Sequence, residues 1–176
     1  MAILDDLGRL LGDAYNNPLA YTSLTFLYAI AVAIVLPFPI EVALVLPLFE
    51  KKWALLAGLA IALAAGKTLG AWLIFLLGVN VEGPVRRWSQ RWRFAAWFVA
   101  KAERFVAKTG NLGLYVLLSI PGMTDTIPLY VYSIFNADGK AIDQRMYLGA
   151  NFLAALNRVA LLVLIFVVIG VNLFGL

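Results

Sequence analysis

The sequence predicts an all-α integral membrane protein, an inverted repeat of a re-entrant helical hairpin followed by a transmembrane helix. Three observations predict it. Of 176 residues 63% are hydrophobic and 14% charged, against roughly 45–50% and roughly 25% in soluble domains. Two apolar stretches are cut by prolines beside an acid, at Pro37-Phe38-Pro39-Ile40-Glu41 and between Pro121 and Pro128, around Asp125. Each cut stretch is followed by an uncut one with a single base near its middle, Lys67 and then Arg158.

The mean hydropathy of +0.89 identifies lipid as the solvent. Cysteine and histidine are both absent, which excludes disulfides, thiol nucleophiles, imidazole bases and Cys/His metal sites. No carboxylate spacing suggests a metal. No cofactor and no catalytic set is predicted, so the chain does not read as an enzyme. The net charge of +4 is assigned to anionic lipid headgroups and not to nucleic acid. A homo-oligomer is left open.

Residues 1–17 carry Asp5, Asp6, Arg9 and Asp13 among Ile3, Leu4, Leu7, Leu10 and Leu11. This is a helical pattern with a polar face, too acidic for the basic start of a signal peptide, and it reads as an interfacial amphipathic helix. The first repeat, residues 18–81, begins with the apolar stretch 18–49, whose one charge is Glu41. A spanning helix needs roughly 20 predominantly apolar residues, and proline removes a donor and clashes with the preceding turn. A re-entrant hairpin with its tip at Pro37 and Pro39 is therefore predicted, a shape tolerated at depth only where protein or water surrounds it. Residues 53–78 follow as a spanning helix, in which Gly66 and Gly70 form a GxxxG that lets another helix approach closely.

Residues 82–108 place Val85, Trp88, Trp92, Ala95, Val99, Ala102 and Val106 at steps of three and four among seven Lys/Arg residues. This reads as a basic amphipathic segment in the headgroup region. The second repeat, residues 109–176, holds a second hairpin at 111–135 with its tip at Pro121, Gly122 and Pro128. A polar loop and a spanning helix at 146–174 complete it.

The spacings match. Pro37 precedes Glu41 by four residues, as Pro121 precedes Asp125. Glu41 to Lys67 is 26 residues and Asp125 to Arg158 is 33, and the longer second loop accounts for the difference. Because a hairpin returns to its own side and a spanning helix crosses, the second unit enters from the opposite face, the plan of many secondary transporters. The face holding residues 82–108 and 136–145 carries nine Lys/Arg against three on the other. The positive-inside rule places it in the cytoplasm of a multi-pass cell-membrane protein.

Four of the 24 charged residues fall inside the apolar segments: Glu41, Lys67, Asp125 and Arg158. Each would cost at least about 2.5–3.5 kcal/mol unpaired at the bilayer centre. Two acids and two bases permit complete pairing, within each repeat or across them. Intramembrane charges mark substrate or ion pathways, and Thr124 and Asn151 are counted with this one. A structural alternative is that Glu41 stabilises the first turn of the half-helix after it, while Asp125, with Thr124 and Thr126, caps the half-helix that starts near Pro128.

These residues resemble the DedA/VTT family (the SNARE-associated Golgi protein domain), in particular its small YqaA-like branch. Pro37-Phe38-Pro39-Ile40-Glu41 is similar to the family's P-x-P-[ST]-E hairpin, with Ile40 in place of the small hydroxyl residue. Gly66, Gly70, Phe75 and Gly78 follow its G-x3-G…[YF]-x2-G helix. Gly110, Pro121-Gly122 through Pro128, Asp125, Gly149 and Arg158 resemble the second hairpin and closing helix. Ala71 and Thr124 stand where larger members carry an acid and an arginine. The resemblance covers roughly residues 30–165. It implies two opposed re-entrant hairpins and a role in moving phospholipids or polyprenyl phosphates, with membrane lipids as partners. A proton- or ion-coupled exporter of a small solute, and a non-transporting scaffold recruiting partners through residues 82–108, are the alternatives.

Overall fold

The computed structural model describes residues 15–35, 39–89, 93–135 and 142–174. The described residues form six helices and no strand: α1 (Pro18–Ile34), α2 (Val42–Phe49), α3 (Trp53–Ser89), α4 (Arg93–Ser119), α5 (Thr126–Ile134) and α6 (Gln144–Phe174). Two of them, over Trp53–Gly78 and Gln144–Val168, are long and apolar enough to cross a membrane. Of the predicted N-terminal helix only Tyr15 to Asn17 are described, and Pro37 at the first predicted tip lies outside the described residues.

Local chemistry explains where these helices begin. Asn17 caps α1, its side chain accepting from the Leu19 and Ala20 amides at 3.1 and 3.3 Å, and Pro18 occupies a first-turn position where no N–H is needed. Pro47 lies inside α2, where its missing N–H would leave the Ala43 carbonyl without a donor. The Tyr21 hydroxyl of α1 donates to that carbonyl at 2.9 Å. At the other end of α1, the freed carbonyls of Val32 and Ile34 accept from Thr126 Oγ1 and the Tyr130 hydroxyl of α5 at 2.9 and 3.1 Å. The Pro47 break and the end of α1 are thus met by side chains from neighbouring helices, as a buried backbone requires.

Two predicted boundaries are corrected. The first predicted spanning helix does not stop at 78: α3 stays helical through Ser89, and α4 is described from Arg93, residues 90–92 lying outside the described residues. Hydropathy falls after Gly78, but the backbone hydrogen bonds that define a helix do not depend on what surrounds it. Within α4, Gly110 takes φ 51° and ψ −147°, a left-handed conformation suited to glycine, and so separates 93–109 from 111–119. The last helix begins at Gln144 and not at 146, because Asp143 Oδ2 accepts from the Arg145 amide at 3.1 Å and caps it.

The GxxxG of α3 packs against α1. A Cβ on Gly66 would lie 2.4 Å from the Phe26 carbonyl oxygen, and one on Gly70 2.6 Å from Ala33 Cβ. Gly66→Val is expected to destabilise the protein by about 1–3 kcal/mol through overpacking. Gly58→Ala, whose Cβ would meet nothing within 4 Å, is expected to be neutral or to stabilise by about 0.5–1 kcal/mol. Reversible unfolding in mixed micelles separates the two.

The core divides into two apolar clusters. One gathers Tyr21, Ala29, Val32, Leu44, Leu63 and Val159 around α2. The other gathers Ala33, Ala71, Ile74, Leu118, Tyr132 and Ala154 around α5. Along α3 the boundary falls between Leu63 and Ala71, and along α6 between Ala154 and Val159. Lys67 and Arg158 occupy that boundary.

Candidate functional site

The four intramembrane charges predicted from sequence come together at the junction of the two clusters. Arg158 Nη1 donates to Asp125 Oδ1 at 2.9 Å, and its Nε lies 3.0 Å from Glu41 Oε1. Lys67 Nζ lies 3.0 Å from the same Asp125 oxygen. Side-chain exposure is 0% for Lys67 and Arg158, 1% for Asp125 and 11% for Glu41, so the cluster is closed to its surroundings.

Helix boundaries set these positions. Glu41 and Asp125 occupy the same place in their segments, the residue just before α2 and just before α5. Neither side chain makes a capping hydrogen bond to the helix that follows, so the cap expected of Asp125 is corrected: Asp125 reaches Lys67 and Arg158, and Glu41 reaches Arg158. Lys67 lies fourteen residues after the first residue of α3, and Arg158 fourteen after the first of α6, each roughly 21 Å along its helix. The Phe75–Tyr147 ring contact at 5.0 Å sets α3 against α6, with Lys67 and Arg158 further along on the same side of that contact.

The two bases are used differently. Besides the acids, the Arg158 guanidinium donates to the Ile120 carbonyl at 2.9 Å and to the Met123 carbonyl. It holds the non-helical tip between α4 and α5 by carbonyls that no helix satisfies. Glu41 Oε1 adds a bond from the Gly122 amide at 2.9 Å, where Gly122 takes φ 77°. Arg158 is therefore a clamp with its donors spent. Lys67 Nζ, in contrast, is buried with Asp125 Oδ1 as its one close partner among the described residues, 3.0 Å away. Glu41 Oε2 and Asp125 Oδ2 are also buried without hydrogen-bond partners among these residues. Of the two bases, Lys67 is the one left with donors beyond its contact with Asp125.

The other predicted site residues divide. Pro39 lies at the first tip, its carbonyl accepting from the Tyr28 hydroxyl at 3.0 Å. Pro121 and Gly122 form the second tip, and Pro128 is buried in the first turn of α5. Asn151 is fully buried two turns before Arg158 on the same face of α6, with neither amide atom hydrogen-bonded among the described residues. Thr124 is half-buried beside Asp125 and makes none of the contacts that hold the four charges. The Gly122 amide and the Ile120 and Met123 carbonyls were not predicted. The one signal for them was the helix break itself, which frees backbone groups that a buried cation or carboxylate can satisfy.

The half-helix starts are less open than a phosphate site would need. The Val42, Ala43 and Leu44 amides of α2 go to the Pro39, Ile40 and Glu41 carbonyls at 3.5, 3.4 and 2.9 Å. The set holds two carboxylates and two cations, no nucleophile with a base beside it, and among the described residues no group of acids placed to hold a metal. Comparison with known protein families, characterised proteins and solved structures gives no match.

Proposed function

We propose that this protein is a membrane lipid transporter or scramblase of the DedA/VTT type, moving a phospholipid or polyprenyl-phosphate headgroup past the charge cluster. Lys67 is the group that meets the phosphate. The observation that carries the reading is a buried ammonium whose one close partner among the described residues is Asp125 at 3.0 Å, which leaves donors for a second anion. A phosphate replaces that carboxylate without changing the pairing of Arg158 with Glu41, and Asp125 takes Lys67 back when the phosphate leaves.

The lengths of the two short helices support an inverted repeat of the kind this reading needs. α2 and α5 have 8 and 9 residues, about 12–14 Å at a rise of ~1.5 Å per residue, less than half of a hydrocarbon core of about 30 Å. Such lengths suit re-entrant limbs that stop inside the bilayer, with α3 and α6 as the crossings. Non-helical tips at that depth need protein around them, and the Glu41–Gly122 bond joins one tip to the other. Binding at the midplane between opposed repeats is the general plan of secondary transporters. In this reading the charge bias places residues 82–108 on the cytoplasmic side of the cell membrane, where exposed Lys101, Arg104 and Lys108 face anionic headgroups.

The test is lipid transfer in proteoliposomes with fluorescent phospholipid and polyprenyl phosphate. Asp125→Asn leaves Lys67 without its exchangeable counterion and is expected to slow transfer at least about tenfold, roughly 1.4 kcal/mol in the barrier. Glu41→Ala and Asp125→Ala together should abolish it. Transfer at the wild-type rate in those variants would refute the mechanism, and proton flux without lipid movement would identify an exporter instead.

A further inference from the structure

At the end of the bundle where α1 and α3 begin, a cavity of about 840 Å³ opens between them, within the ~300–1,000 Å³ range of small-molecule sites. Its described lining includes Tyr15, Leu19, Thr22, Lys52 and Trp53. It is a separate place from the charge cluster, since Lys67 lies fourteen residues along α3 from Trp53, roughly 21 Å.

Its rim carries one base and one acid. Lys52 Nζ is 2.8 Å from Glu50 Oε2 and 4.2 Å from the centre of the Tyr15 ring, and the Tyr15 hydroxyl donates to the same carboxylate oxygen at 2.7 Å. The ammonium, and after it the Tyr15 hydroxyl, hold the Glu50 carboxyl below its ordinary range, so it is ionised at neutral pH. Both charged side chains are open to their surroundings, and an exposed ion pair of this kind contributes little and opens readily. The apolar part of the wall is also open: Leu19 is 79% and Trp53 48% exposed.

We propose that this cavity seats the headgroup of a zwitterionic phospholipid, its phosphate on Lys52, its ammonium on Glu50 and the Tyr15 ring, and its acyl chain along Leu19 and Trp53. The argument is charge complementarity. A zwitterion brings the same two charges as the pair it enters, so Lys52 exchanges Glu50 for phosphate while Glu50 exchanges Lys52 for ammonium. Every charge stays paired. An anionic headgroup would take Lys52 from Glu50 and bring no ammonium in exchange, a repulsion that disfavours it relative to a zwitterion. The face of the Tyr15 ring already carries a cation and can take the ligand's in its place. The level fits as well, because residues 50–53 head the candidate span, where tryptophan sits at headgroup depth. The inference rests on the reading of Trp53–Gly78 as a crossing.

The test uses the full chain in maltoside micelles with trace photoreactive phosphatidylethanolamine or phosphatidylglycerol, mapping the labelled peptides by mass. Phosphatidylethanolamine is expected to label residues 15–23 and 52–58 at least roughly fivefold more than phosphatidylglycerol. Glu50→Gln removes the ammonium partner and leaves Lys52 alone, and should turn the preference toward phosphatidylglycerol. Lys52→Gln should lower labelling by both lipids, and Asp125→Asn should leave it unchanged. Equal labelling in the wild type, or an unchanged preference in Glu50→Gln with its helical circular dichroism intact, overturns the site. Labelling lost while transfer still depends on Lys67 rejects this site alone. Labelling retained while transfer ignores Lys67 and Asp125 rejects the transport reading alone.

Discussion

Arg158→Met is expected to destabilise the protein by about 3–5 kcal/mol, the cost of breaking a buried ion pair by removing one partner. The loss has several parts. Glu41 keeps only the Gly122 amide, Asp125 keeps only the loosely placed Lys67, and the Ile120 and Met123 carbonyls lose their buried donor. Methionine fills much of the volume, so the penalty reports charge and hydrogen bonding more than a cavity. Unfolding in mixed micelles, followed by circular dichroism, measures it. A loss approaching a small domain's whole stability of about 5–15 kcal/mol would show as poor recovery from the membrane, and Arg158→Lys then serves as the milder variant. Lysine restores the charge but not the planar fork that reaches two acids and two carbonyls, so it should recover only part of the loss.

Lys67→Ala should have the opposite profile. Its ammonium contacts Asp125 and no other acid among the described residues, and its removal leaves Asp125 paired with Arg158. The destabilisation is expected to be smaller than for Arg158→Met, about 2–3 kcal/mol, from the shortened side chain and the weakened pairing. Lipid transfer, in contrast, should fall at least about tenfold, roughly 1.4 kcal/mol, and Lys67→Arg should retain more of it than Lys67→Ala. Stability and transfer measured on one preparation separate the clamp from the exchangeable base. If the two variants lost stability and activity in the same proportion, the division of labour between Lys67 and Arg158 would be wrong.

Much of this site was legible in the sequence because charge in an apolar run is costly and so conspicuous. Glu41, Lys67, Asp125 and Arg158 were named by hydropathy alone, and all four meet. What spacing could not decide was the pairing, since it says nothing about how one half sits against the other. The structure answers with both arrangements at once: Arg158 holds Asp125 of its own half and Glu41 of the other, while Lys67 reaches across to Asp125. The GxxxG of α3 was visible, but its partner α1 was not, because small residues signal a close approach without naming what approaches. Tyr21 on the Ala43 carbonyl and Arg158 on the second tip were hidden for a related reason. A proline break shows that a carbonyl is freed, and only the packed fold shows which side chain satisfies it. The continuation of α3 past Gly78 and the start of α6 at Gln144 were missed because hydropathy tracks the solvent, while backbone hydrogen bonds and caps set the extent of a helix.

The most direct test of a charge site shared by the two halves is a double-mutant cycle between Glu41 and Arg158 on unfolding. Glu41→Gln, Arg158→Met and the double variant are compared with wild type. Because the 3.0 Å contact joins the two residues, the double variant should be more stable than the sum of the single losses allows. The expected coupling is about 1–3 kcal/mol, as for other contacting charged residues. Single losses that add to within about 0.5 kcal/mol, as distant sites do, would mean that the first tip and α6 do not meet, and the shared site would not exist.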